Sequence, residues 1–230
     1  MTILFDLDGT LLDTALDFFY TINQLRAEEQ KPLLKETDLY RVRLAISGGL
    51  AELLSVTLDL PSDHFEELGA YQHHFGKRFI EIYQKNLSLH TRPFPGIDTL
   101  LTTLEKRNIL WGIVTNKPGR QTEALLAQLG LLERAACVVS GDTTPNPKPH
   151  PAPLFHACQQ IKIPPNQCIY VGDAERDIIA GKAAGMATIG ALFGYIENTD
   201  IAKKWGADHY VLHPDEILPW FEQWQLQKSK

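Results

Sequence analysis

Two aspartates one residue apart, Asp6 and Asp8, close the apolar run Ile3-Leu4-Phe5 near the start of the chain, and Gly9, Thr10 and Asp13 follow them. Side chains alternate faces along a strand, so Asp6 and Asp8 point the same way. Both then serve one site at the carboxyl end of that strand, where open parallel sheets gather ligands. Two like charges so close repel each other, and a chain that keeps them needs a cation between them or a chemical task for them.

Three later stretches carry matching chemistry. Leu110-Trp111-Gly112-Ile113-Val114 runs into Thr115-Asn116-Lys117-Pro118. A hydroxyl at a strand end, followed by exposed backbone N–H groups, can hold a phosphoryl oxygen. A Thr-Asn pair there also makes an ordinary turn. In Asn146-Pro147-Lys148-Pro149-His150-Pro151-Ala152-Pro153, alternate prolines hold an extended segment that cannot pair regularly. It presents Lys148 from a fixed backbone position, unless it is only a surface loop with a solvated lysine; His150 is given no role. Tyr170-Val171-Gly172-Asp173 leads to Asp177, which lies on the first turn of the next helix, back toward Asp173. An acid there also suits a helix N-terminus on its own. Hard oxygen ligands of this kind select a hard cation such as Mg2+, which is held by a few carboxylates plus substrate phosphate.

Alternating strands and helices must position these groups. The apolar runs predict strands at Ile3–Leu7, Ile109–Thr115, Ala136–Ser140, Cys168–Gly172, Ala187–Leu192 and His209–Leu212. Helical patterns lie at Gly96–Arg107, Gly119–Gly130, Ala152–Ile161, Glu175–Gly185 and Thr199–Gly206. Such alternation implies a parallel sheet covered on both faces. Between Leu16 and Arg92 the rhythm breaks. Phe65, Leu68, Tyr71 or Gln72, Phe75, Phe79, Ile82 and Tyr83 recur at helical spacing, after a turn and helix start at Pro61 and Ser62-Asp63. Pro93 and Pro95-Gly96 mark the return. The expected organisation is an α/β core of 1–15 and 93–230 with an all-helical insert of 16–92. The C-terminal Gln225-Leu226-Gln227-Lys228-Ser229-Lys230 is expected to be a frayed end.

Composition bounds the partners. A formal charge of −6 over 230 residues argues against broad binding to nucleic acid or an anionic membrane, but permits an anionic substrate in a locally positive cleft. Cys137, Cys158 and Cys168 are odd in number and lack metal-ligand spacing, so buried free thiols in a reducing compartment are expected. No apolar run reaches transmembrane length, and with Met1 as the start there is no room for a signal peptide. The expected location is the cytoplasm.

In order, the four stretches resemble the four motifs of the haloacid dehalogenase superfamily, in the form carried by its phosphoglycolate-phosphatase-like members. Asp6-Leu7-Asp8-Gly9-Thr10-Leu11-Leu12-Asp13-Thr14 is similar to the first motif, Val114-Thr115-Asn116-Lys117-Pro118 to the second, Lys148-Pro149-His150-Pro151 to the third, and Gly172-Asp173 with Asp177 to the fourth. The resemblance implies a Rossmann-like parallel sheet core with an inserted helical cap that closes over the site and selects the substrate. It makes Asp6 a nucleophile that takes up the phosphoryl group and Asp8 a general acid/base. Lys148 then offsets charge, and Gly9, Thr115 and Asn116 bind the phosphoryl group. Magnesium is held by Asp6, Asp173 and the Asp8 carbonyl, while Asp177 orients ligands or water at the metal. The implied reaction is Mg2+-dependent hydrolysis of a small phosphomonoester through an aspartyl-phosphate, by a monomer or homodimer.

Dehalogenases of the superfamily lack the second acid of the first motif, so Asp8 argues for phosphate chemistry. A sugar phosphomutase of the same superfamily remains the alternative, and a non-catalytic phosphate-binding module is a third class, although no nucleophile or ligand is missing. Within the insert, Arg41-Val42-Arg43-Leu44-Ala45-Ile46-Ser47-Gly48-Gly49 offers Arg43 to fork a substrate carboxylate, and Gly48 and Gly49 permit close backbone approach. The two glycines equally well separate two helices. Leu110-Trp111-Gly112, Phe193-Gly194-Tyr195-Ile196 and Trp205-Gly206-Ala207-Asp208 are closer to the subgroup that hydrolyses N-acetylmuramic acid 6-phosphate than to typical phosphoglycolate phosphatases. Trp111 and Trp205 read as packing, and His73-His74 as solvated or packing residues rather than metal ligands. Either 2-phosphoglycolate or N-acetylmuramic acid 6-phosphate pairs a phosphate with a carboxylate, so Arg43 suits both.

Overall fold

The computed structural model describes residues 1–58 and 65–228, those of 65–73 by backbone alone. The expected turn at Pro61 and Ser62-Asp63 and the side chains of Phe65, Leu68, Tyr71, Gln72 and His73 lie outside the described residues. The chain divides into two compact units, Met1–Leu12 with Pro93–Lys230, and Asp13–Arg92.

The first unit is built on a six-stranded parallel sheet. Its strands are β1 (Thr2–Phe5), β4 (Leu110–Val114), β5 (Val138–Val139), β6 (Cys168–Gly172), β7 (Ala187–Ala191) and β8 (His209–Val211), in the order β5-β4-β1-β6-β7-β8. The two-residue strands β2 (Leu12–Asp13) and β3 (Arg92–Pro93) pair with each other where the chain leaves and re-enters this unit. Sequence and structure agree on the six parallel strands; the central ones, β1, β4 and β6, are near-continuous apolar runs of the kind that a sheet buried on both faces requires, while β5 is shorter than the expected Ala136–Ser140. Ile3, Leu4, Phe5, Ile113, Val114, Ile169, Tyr170 and Val171 are all fully buried. Strand β1 pairs with β4 on one side (Thr2 beside Leu110) and β6 on the other (Thr2 beside Cys168). The order reverses at β1, so the carboxyl ends of β4, β1 and β6 splay apart there and leave a crevice.

Helices α5 (Ile97–Lys106), α6 (Gly119–Gln128), α7 (Ala152–Ile161), α8 (Glu175–Ala183) and α9 (Thr199–Ala202) connect the strands. Leu154, Ala157 and Cys158 of α7 and Ala180 of α8 join Leu4, Val114, Cys168 and Tyr170 in one buried cluster. All three cysteines are free and buried, with the Cys158 and Cys168 sulfurs 3.6 Å apart. No helix among the described residues is long and apolar enough to cross a membrane.

The expectation of a frayed C-terminus fails for residues 225–228, while Ser229 and Lys230 lie outside the described residues. The chain forms a further helix, α10 (Ile217–Lys228). Ile217, Phe221 and Trp224 recur at helical spacing and are buried, so the polar tail continues a helix held from its apolar side.

The second unit is helical: α1 (Ala15–Glu28), α2 (Leu39–Ser47), α3 (Leu50–Leu58) and α4 (Phe65–Lys85). Phe18 of α1 meets Phe79 and Tyr83 of α4 with ring centroids 5.6 and 4.7 Å apart. The buried Asp17 carboxylate accepts the backbone N–H groups of His90 and Thr91 at 2.8 and 3.0 Å and the Thr91 hydroxyl at 2.6 Å. It thereby fixes the segment that leaves this unit.

Because α10 is held by few large side chains, Phe221→Ala should destabilise the protein by about 3 kcal/mol in urea unfolding. A loss well below about 1 kcal/mol would show that α10 is not docked.

Candidate active site

The carboxyl ends of β1, β6 and β4 bring together Asp6, Asp173, Asp177 and Lys148. One carboxylate oxygen from each of the three aspartates lies within 4.8 Å of the others. Asp6 follows β1 directly, and its own N–H extends the ladder to the Val171 carbonyl at 2.9 Å. Asp173 follows β6. Asp177 lies in the first turn of α8, where its Oδ2 accepts the Ala174 N–H at 3.0 Å. All three side chains are buried.

Lys148 answers this charge. Its ammonium lies 2.8 Å from Asp6 Oδ1 and 2.7 Å from Asp177 Oδ1, and it also reaches the Val114 carbonyl (3.0 Å) and the Tyr170 hydroxyl (2.7 Å). Its three N–H bonds therefore meet four acceptors, so the lysine is saturated where it sits. The Tyr170 hydroxyl passes its own hydrogen to the Val114 carbonyl at 2.7 Å. The backbone of Lys148 is fixed as firmly. The side-chain amide of Asn116 donates to the Lys148 carbonyl (2.9 Å) and accepts the Lys148 N–H (3.0 Å). The amide of Asn116 is thus committed to Lys148, a use that its place in the sequence does not reveal.

Asp173 receives the Thr10 hydroxyl at 3.0 Å and the Tyr195 N–H at 2.9 Å. Burial, and then the charges of Asp6 and Asp177, push its pKa up to about 7 in spite of these two bonds. Burial likewise raises Asp177, against the pull of Lys148. Three carboxylates thus face Lys148 and the half-buried Arg176, whose charge is felt by all three. The cluster is short of positive charge, and its free oxygens are hard donors, so a hard divalent cation fits it. Gly9 has a φ of +90°, and a Cβ there would lie 2.2 Å from Asp173 Oδ2. Only glycine allows the turn after Asp8 to run this close to the acid.

Asp8 turns elsewhere. Its Oδ1 and Oδ2 lie 3.1 and 3.4 Å from the ammonium of Lys117, a residue whose position in the second motif signals no role by itself. Thr115 is buried at the end of β4, and its hydroxyl oxygen accepts the Lys117 N–H at 3.1 Å. Tyr195 belongs to the Phe193–Ile196 string that marked kinship in the sequence; here its N–H serves the acid cluster. Trp111 packs in the core with its Nε1–H on Glu105 at 3.0 Å.

The residues expected to set substrate choice lie in the helical unit. Arg43 Nη2 donates to Asp13 Oδ2 at 2.8 Å, and its Nε is buried without a hydrogen-bond partner among the described residues. Gly48 and Gly49 separate α2 from α3, and a φ of +90° at Gly49 shows that the turn itself requires a glycine.

The family model for haloacid dehalogenase-like hydrolases matches residues 3–191. The chain is 40% identical over 217 residues to an N-acetylmuramic acid 6-phosphate phosphatase of Pseudomonas putida, covering 94% of this chain and 93% of that protein. It is 38% identical over 215 residues to a phosphoglycolate phosphatase of Xanthomonas campestris, with 94% and 93% covered. Among solved structures, a predicted phosphoglycolate phosphatase from Haemophilus somnus superposes with a TM-score of 0.80 at 28% identity, covering 95% of this chain and 96% of that one.

The raised pKa of Asp173 has a definite consequence for stability. A carboxyl that holds its proton more tightly when folded stabilises the fold below its unfolded pKa, ordinarily 3.8, and that contribution is lost as the pH rises through about 7. Metal-free protein should therefore lose stability between pH 5 and pH 8 on the order of a few kcal/mol, and Asp173→Asn should remove much of that loss. Denaturant unfolding of both proteins at the two pH values checks it; parallel pH dependence would contradict it.

Proposed function

The chain belongs to the haloacid dehalogenase-like hydrolases, and from that premise we propose that it is a phosphoric monoester hydrolase that carries the phosphoryl group on Asp6. The observation that supports this most is the setting of Asp6: a buried carboxylate at the switch point of the sheet, one oxygen on Lys148, with Asp8 two residues along on a separate cation.

In this reading an Asp6 oxygen attacks phosphorus as the ester P–O bond breaks. Asp8 gives a proton to the departing alkoxide. It then takes one from the water that attacks the aspartyl-phosphate and releases inorganic phosphate. Lys148 stays between Asp6 and Asp177 and offsets the charge of the transferring group. The Thr115 hydroxyl and the backbone turn at Gly9 face that group, while Asn116 acts by holding the backbone of Lys148. Asp6, Asp173 and the Asp8 carbonyl would hold Mg2+, with Asp177, which shares their cluster, orienting ligands or water. When bound, the cation supplies Lewis-acid neutralisation of phosphate charge.

The substrate is a small phosphomonoester that bears a carboxylate, 2-phosphoglycolate or N-acetylmuramic acid 6-phosphate. Relatives of similar identity carry names for each. Arg43, with its unpartnered buried Nε, is the group proposed to meet the substrate carboxylate. The three free thiols suit a reducing, cytoplasmic setting.

Purified protein with Mg2+ should release phosphate from at least one of the two esters without a sugar bisphosphate activator. That requirement separates hydrolysis from phosphomutase chemistry. Asp6→Asn should lower turnover at least about a thousandfold while the fold persists, and a chelator should abolish activity until Mg2+ is restored. A preference of about a hundredfold in kcat/KM, roughly 2.7 kcal/mol, would name the substrate. Near-normal turnover by Asp6→Asn would overturn the reading.

A further inference from the structure

We infer that Lys117 is the residue that positions Asp8 for both of its proton transfers, an inference that rests on the hydrolase reading. Two turns meet here, each pinned separately. After β1, the N–H groups of Thr10, Leu11 and Leu12 all donate to the Leu7 carbonyl, and the Gly9 N–H donates to the Leu12 carbonyl at 3.0 Å. After β4, the Lys117 N–H donates to Thr115 Oγ1 at 3.1 Å. The Lys117 carbonyl accepts the Gly141 N–H at 2.9 Å and the Thr122 hydroxyl at 3.2 Å. The Lys117 ammonium spans the gap between the turns and reaches both oxygens of Asp8, at 3.1 and 3.4 Å.

This pair is largely buried. The side chains are only 5% and 14% exposed, against 35% and 34% for Arg78 with Glu28. Surface pairs such as Lys203 with Asp200 order little. Holding a lysine side chain in one buried geometry costs rotamer freedom, so its partner is fixed in return. Asp6 and Asp8 leave the same strand end, yet each has its own ammonium: Lys148 for the first and Lys117 for the second. That division keeps the two carboxylates apart and sets the plane of the Asp8 carboxylate. Lys117 does not touch the reacting atoms; it is a positioning residue that acts through Asp8. In the first half-reaction the proton on an Asp8 oxygen goes to the alkoxide as the ester P–O bond breaks and the Asp6–P bond forms. In the second, an Asp8 oxygen takes a proton from water as the water–P bond forms and the Asp6–P bond breaks. Both transfers need the same carboxylate orientation.

The test uses the full chain with Mg2+ and compares two leaving groups by rapid quench. One substrate is the alkyl ester that the wild type hydrolyses; the other is p-nitrophenyl phosphate, whose phenolate departs without a proton from Asp8. In Lys117→Met and Lys117→Gln, kcat should fall about 10- to 100-fold with little change in KM. With the aryl ester alone, a burst of about one nitrophenolate per site should precede the slow phase, because only the second half-reaction is then impaired. In an Asp8→Asn background, Lys117→Met should cause no further loss. Equal slowing on both esters without a burst, an unchanged kcat, or an additive loss in the double variant would overturn the inference and leave the hydrolase reading standing. A wild type that hydrolyses neither ester would overturn both.

Discussion

The ammonium of Lys148 lies between the carboxylates of Asp6 and Asp177 on a side chain that has no solvent exposure. A bare ammonium in that position would be far too costly to bury, and so would carboxylates packed within 4.8 Å of one another. Each makes the other tolerable. The remaining features of the site serve this arrangement: Asn116 holds the lysine backbone, Tyr170 supplies a further acceptor, and Thr10 and the Tyr195 N–H cover Asp173. Burial, and then the charges of Asp6 and Asp177, raise the pKa of Asp173, and the surplus of carboxylates over Lys148 suits the site to a hard cation, which would in turn make room for an anionic phosphoryl group.

The sheet explains why these residues meet at all. Asp6, Lys148 and Asp173 are far apart in the chain, yet β1 lies between β4 and β6 with the order reversing beside it. The ends of three strands and the segment before α7 thus open onto one crevice. Small side chains decide how closely they approach: with any other residue at position 9, the first turn would collide with Asp173.

Much of this was legible in the sequence. The central strands are apolar runs that read without context, and Asp6, Thr115 and Asp173 each follow the end of one. What escaped depends on tertiary placement. Lys117 reads as part of a turn, and only the structure shows its ammonium on Asp8. Asn116 is expected at the phosphoryl group, and only the structure adds that its side-chain amide holds the backbone of Lys148, thirty-two residues on. The Tyr195 contact to Asp173 is made by a backbone N–H, which no side-chain pattern can reveal. Helix α10 was hidden by its polar last turn, because the three side chains that bury it lie mostly earlier in the segment.

The most direct measurement is chemical trapping of the phosphorylated enzyme. Protein quenched during turnover and treated with borohydride should yield, by peptide mass analysis, a reduced residue at position 6 alone, since an aspartyl-phosphate is reduced and a free carboxylate is not. Phosphate release at full rate with no reduced residue, or with the label on another side chain, would contradict the account.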